Sequence, residues 1–128
     1  MMRYRSGQFG PDYRNNIFIS IFNTHKIIRS VVERSGSTFQ SREEDFLVSG
    51  NVDFHPTDVL EDADGSLLVI DTGGWFRIGC PVSKGAKPEV PGAIYRIRRK
   101  GAHKVKDPRG SFLDVARLTP AALARHLD

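Results

Sequence analysis

Short runs of strand-forming residues, cut by turn residues and recurring as two units of about 40 residues each, constrain this chain more than any other feature. The first unit opens with Ile17–Phe22, apolar on both faces apart from Ser20, whose length and β-branching read as a buried strand. Asn23-Thr24 turns the chain into a second strand, Lys26–Val32, and the cluster Glu33–Ser37 turns it again. A third strand, more polar and suited to the outer edge of a sheet, falls within Thr38–Val48. After Ser49-Gly50-Asn51 the second unit starts with a strand at Thr57–Glu61. Asp62-Ala63-Asp64-Gly65 is then a tight turn, because glycine takes a positive φ at no steric cost, and Ser66–Asp71 is the partner strand. A long loop runs from Thr72 to Pro91, and Ala93–Arg99 returns as a strand with Ala93, Tyr95 and Ile97 on one face. The polar, glycine-bearing residues 1–14 are expected to fray.

After Gly101 the pattern changes, and Thr119 as N-cap with Pro120 at the first helical position predicts a short helix over Ala121–Leu127. The chain therefore reads as mainly β: two strand meanders over 1–101, then 102–128 as a linker and the start of a helical region. Meanders repeating at this length are the signature of a β-propeller, which closes with about four to eight blades. Two blades cannot close, so the expectation is the last two blades of an incomplete propeller. The alternative is a self-contained small β-sandwich or barrel. With 128 residues, a net charge of +4 and ordinary apolar content, collagen-like, disulfide-scaffold and wholly disordered chains are excluded. No apolar run approaches a membrane span. The single Cys80 rules out an internal disulfide, a Cys-x-x-Cys site and a haem-attachment motif within this sequence. No apolar stretch follows the basic N-terminal residues, so no signal peptide is expected within this sequence.

Basic residues gather between Arg96 and Arg109, where Arg96, Arg98, Arg99, Lys100, Lys104, Lys106 and Arg109 face the single acid Asp107. No aromatics interleave the run to stack bases, so it reads as a solvated strand edge and loop, with no nucleic-acid partner expected. Asp62–Gly65 fails as a calcium loop: with Gly65 at the sixth position, Leu60 would be the first ligand and Asp71 the twelfth. No metal site is expected. Gly73-Gly74 has no following helix and no Lys-Ser/Thr, so it is not a phosphate loop. Spacing instead puts Asn23, His25 and Lys26 of the first unit beside His55, Thr57 and Asp58 of the second, each cluster one turn from a buried strand. His55 suits acid–base work, ligand contact or a structural hydrogen bond, and Asp58 suits orienting His55 or capping a turn. Trp75 and Arg77, on the long loop, are expected at the same end, over a ligand. No catalytic residue is assigned.

The segments Tyr13-Arg14-Asn15-Asn16-Ile17-Phe18-Ile19, Asn23–Ile27, Phe54-His55-Pro56-Thr57-Asp58-Val59, Asp62–Leu67, Asp71-Thr72-Gly73-Gly74-Trp75 and Gly92–Ile97 carry, in order and spacing, a family likeness. Together they resemble the last blades of the glucose/sorbosone dehydrogenase propellers, closest to large bacterial membrane-bound dehydrogenases. In those proteins a propeller precedes helical repeats and a cytochrome c module. The resemblance implies a fragment of a sugar or alcohol dehydrogenase-like protein that passes electrons to a haem module, inactive alone, in a periplasmic or secreted parent. It implies pyrroloquinoline quinone and calcium in that parent, haem c in a separate module, and the missing blades, helical repeats and haem module as partners. Its carboxylate-binding lysine falls on Lys26, while its two arginine places fall on His55 and Thr57, a departure that weakens the clamp. The base and calcium ligands of such relatives lie in earlier blades. The other reading is a non-catalytic propeller module that binds carbohydrate or protein.

Overall fold

The computed structural model describes residues 1–74 and 87–126. They form two antiparallel sheets. In the first, β1 (Met2–Arg3), β2 (Ile17–Ile21), β3 (Lys26–Ser35) and β4 (Thr38–Val48) lie side by side in chain order. In the second, β5 (Pro56–Glu61), β6 (Leu67–Asp71) and β7 (Ala93–Ile97) do the same. Both sheets are meanders, as the turn spacing predicts, and no closed propeller is formed by these residues.

Register sorts the side chains. Residues directly opposite share a face, so Val59, Val69 and Tyr95 align across the second sheet, as do Glu61, Leu67 and Ile97. Phe18 and Ile27 of the first sheet join Val59, Leu67 and Val69 of the second in one buried cluster, with Phe46 and Leu47 packed against it. The two sheets are thus packed face to face, with β2 against β5. At that seam the Ser20 hydroxyl donates to the Thr57 carbonyl at 3.0 Å.

The expected fraying of residues 1–14 is wrong. β1 pairs with β2, and Tyr4 and Phe9 sit in the common core with Tyr4 fully buried. The reason is aromatic. Tyr4 lies edge-on to Phe9 and to Phe18 at centroid distances of 5.5 and 5.9 Å, so two rings hold a segment whose average composition is polar. The first sheet accordingly has four strands rather than three.

Local differences are smaller. The turn expected at Glu33–Ser37 contracts to Gly36-Ser37, with Gly36 at φ 62°, because β3 runs on to Ser35 opposite Thr38. β4 occupies the whole of Thr38–Val48 and is the exposed edge of its sheet. The Asp62–Gly65 turn forms as read: Gly65 at φ 75° donates to the Asp62 carbonyl, and Asp62 donates to the Ser66 carbonyl, both at 2.8 Å. β7 stops at Ile97, short of the expected Arg99. Near the C-terminus, α1 (Pro120–Ala124) starts one residue before the expected helix, capped by the Thr119 hydroxyl accepting from the Ala122 amide at 3.2 Å.

Candidate functional site at the His25–His55 junction

A single turn of 3₁₀ helix, Phe22–Thr24, reverses the chain between β2 and β3 and ends on His25 in the left-handed region at φ 56°. Its neighbours carry the local bonds: the Ser49 amide donates to the His25 carbonyl at 3.0 Å. The imidazole of His25 turns toward the second sheet, with Nδ1 2.7 Å from the Phe54 carbonyl. His55 precedes β5 and is buried. Its ring lies 5.2 Å from that of His25, edge to face at 71°, and 4.6 Å from Phe22, tilted by 33°.

His55 is held from three sides. Its amide donates to Asp71 Oδ1 at 2.8 Å, its Nδ1 lies 2.7 Å from the Gly73 carbonyl, and its own carbonyl accepts from the Thr72 amide at 3.1 Å. A carbonyl can only accept, so in both histidines Nδ1 carries a proton. Asp71 closes this loop. The same Oδ1 takes the Gly73 amide at 2.8 Å, and Gly73 at φ 58° passes so close to residues 90–91 that a Cβ would lie 2.5 Å from the Pro91 carbonyl oxygen. Glycine is therefore required at that point by both conformation and space.

The structure brings His25 and His55 together, as their spacing from buried strands predicts. Lys26 is beside them in sequence, but its ammonium pairs with Asp45 on β4 at 2.7 Å. The exposed Thr57 turns its hydroxyl to the Ile70 carbonyl at 3.3 Å. Asp58 accepts from its neighbour Val59 at 2.8 Å and pairs with the N-terminal amine of Met1 at 3.3 Å, so its partners are not the histidines. Asn23 is exposed at the turn. Trp75, Arg77 and Cys80 lie outside the described residues.

Sequence reasoning missed Asp71 and Phe22 as the groups that hold His55. The signal for Asp71 was present: a carboxylate ending an apolar strand just before Thr-Gly-Gly suits an Asx-type turn. It missed Asp53 too, which takes the Lys87 ammonium at 2.6 Å beside His55 and puts a cation at this rim. For Phe22 no local pattern distinguishes a ring under His55 from the last residue of a buried strand.

The positions that the resemblance assigns to a quinone clamp are each committed to protein groups: Lys26 to Asp45, Thr57 to Ile70 and His55 to Gly73. Among the described residues, no cluster of three or more His, Cys, Asp or Glu side chains is arranged to hold a metal ion. No described helix is long and apolar enough to cross a membrane. Comparison with family models, curated proteins and solved structures finds no match to this chain.

Proposed function

We propose that the chain is a two-blade segment of a sugar or alcohol dehydrogenase-like β-propeller, inactive by itself, with its ligand-facing end at the His25–His55 junction. The observation that carries this reading is that contact, because it gathers polar groups from two successive meanders at one end of the seam between them. In a propeller, that is where neighbouring blades face a common axis. Quinone, calcium and the haem module belong to the parent protein in this reading, and no step of chemistry is assigned to the residues described.

A second reading, a non-catalytic propeller module for carbohydrate or protein, draws on the committed state of Lys26, Thr57 and His55. It needs no anion clamp at those positions. Calorimetric titration of the 128-residue chain with pyrroloquinoline quinone plus calcium, and separately with a panel of neutral sugars and alcohols, separates the two. Quinone binding that is lost in Lys26→Ala supports the dehydrogenase-like reading. Sugar binding that His25→Ala weakens, with no quinone binding, supports the module. Binding of neither overturns the module reading, and dye-linked sugar oxidation by the chain alone overturns the proposed inactivity of the segment.

A further inference from the structure

Beyond β7 the chain does not simply leave the sheet. Residues of Arg98–Val105, with the Asp64–Ser66 turn and the Gln8–Phe9 segment, line an open cavity of about 390 Å³. This is at the opposite end of β5 and β6 from the histidine junction, since β5 runs from Pro56 to Glu61 before the turn. The volume is at the small end of ligand pockets, which run from about 300 to 1,000 Å³.

The lining is both cationic and apolar. Arg98, Arg99, His103 and Lys104 line it together with Phe9, Ala102 and Val105. Two of the cations are pre-set. The Arg98 guanidinium is anchored on Asp64 Oδ2 at 2.9 Å, and the Arg99 guanidinium donates to the Phe9 carbonyl at 2.8 Å and lies against Gly10. Each anchor uses one donor of a five-donor fork and leaves the plane oriented. His103 and Lys104 are exposed and make no hydrogen bond or ion pair among the described residues. Asp64, the one carboxylate among the described lining residues, is already engaged by Arg98, Arg96 and Ser66. Arg98, Arg99 and Lys104 therefore line the cavity with one acid, Asp64, which Arg98 pairs, leaving Arg99 and Lys104 without a carboxylate partner among the described residues.

We propose that this cavity is a binding site for a small phosphate monoester, with the phosphate between the two guanidinium groups and Lys104, and the organic part against Phe9 and Val105. Guanidinium forks match phosphate oxygens in pairs, and an ammonium adds a point charge without a fixed direction. A solvated strand edge, the simpler account of the basic run, needs neither a cavity nor anchored arginines. The site is independent of the histidine junction and of the function proposed for it.

Phenyl phosphate, inorganic phosphate and benzoate, titrated calorimetrically into the 128-residue chain, test the proposal. Phenyl phosphate should bind more tightly than inorganic phosphate, and benzoate should bind least. Lys104→Glu, at an exposed position without a partner among the described residues, should weaken phenyl phosphate about tenfold with an unchanged melting temperature. Lys106→Glu makes the same change in net charge outside the cavity wall and should leave the affinity within about twofold. Equal losses in both variants would mean diffuse attraction and overturn the site. So would benzoate binding as tightly as phenyl phosphate, no binding of phenyl phosphate, or tight, salt-sensitive binding of heparin alone.

Discussion

Asp64, half-buried in its turn, gathers a dense set of donors. Its Oδ1 accepts from the Ser66 hydroxyl and, at 2.9 Å, from the Ser66 amide, while Oδ2 takes Arg98 at 2.9 Å. The Ser66 hydroxyl first, then its amide, then Arg98 hold the Asp64 carboxyl below the usual carboxylate range. A carboxylate depressed in the folded chain stabilises it above the ordinary unfolded value, and that stability is lost as pH falls toward the folded value. The wild-type chain should therefore lose stability below about pH 4. Asp64→Asn should cost about 1–2 kcal/mol at pH 7 and flatten this acid slope, read by urea denaturation across pH 2–7. An unchanged slope would show that the hairpin does not depend on the charge. Asp62, lowered in the same way by Arg96, keeps part of the slope in the variant.

At the scale of elements, the N-terminal segment is a strap that ties the two sheets together. The Arg5 and Ser6 amides both donate to the Glu61 carboxylate at 2.7 Å. The Tyr4 hydroxyl donates to the Gly65 carbonyl at 2.8 Å and accepts from Ser6 Oγ at 2.6 Å and the Phe9 amide at 3.2 Å. One phenol thus satisfies a turn of the second sheet and the strap itself, and burial, its largest influence, raises its pKa. Tyr4→Phe keeps the ring in place and strands those polar groups, so it should destabilise the chain by about 1–3 kcal/mol in chemical denaturation. A loss well under that range would mean that packing of the ring alone holds the strap. The same strap forms one wall of the cationic cavity through Gln8 and Phe9, which is why a frayed N-terminus would have left no pocket there.

At the scale of the molecule, the described residues bury one seam and leave two outer faces. Opposite the core, the second sheet shows Leu60, Leu68, Ile70 and Ile94 on one face, with Leu60 43% and Ile94 69% exposed. On the far side of the first sheet, Ile17, Ile19 and Ile21 alternate with the core-facing Phe18 and with Ser20 and remain only half-buried. The face of the second sheet is strand-rich, largely apolar and of the kind that covers a neighbouring sheet, while that of the first mixes its isoleucines with the Lys26–Asp45 pair. A second copy of the chain, supplying a neighbouring sheet, is the expected occupant when concentration rises. Light scattering after size exclusion should show mass increasing with concentration, and Ile94→Lys, at an exposed position, should shift it toward the monomer. A monomer at all concentrations would mean that these faces are tolerated in water.

What could be read from the residues alone was whatever rests on neighbours in sequence. Gly65 after Asp62-Ala63-Asp64 fixes a hairpin through its own φ, and Thr119-Pro120 caps a helix within one turn, so both appear where local chemistry puts them. The alternation of Val59 and Val69 with Leu60 and Leu68 likewise decides which face of the second sheet is buried, because the side-chain period of a strand is two. Tertiary structure decided the rest. Tyr4 enters the core only because Gly65 and Phe18, distant in sequence, meet it there, and no average over residues 1–14 contains that information. His25 and His55 were legible as neighbours across the seam, but Lys26 went to Asp45 and Asp58 to the N-terminal amine. Spacing gives the end of a strand to which a side chain belongs. The partner is settled by which opposite charge the assembled sheets leave within a hydrogen bond's reach.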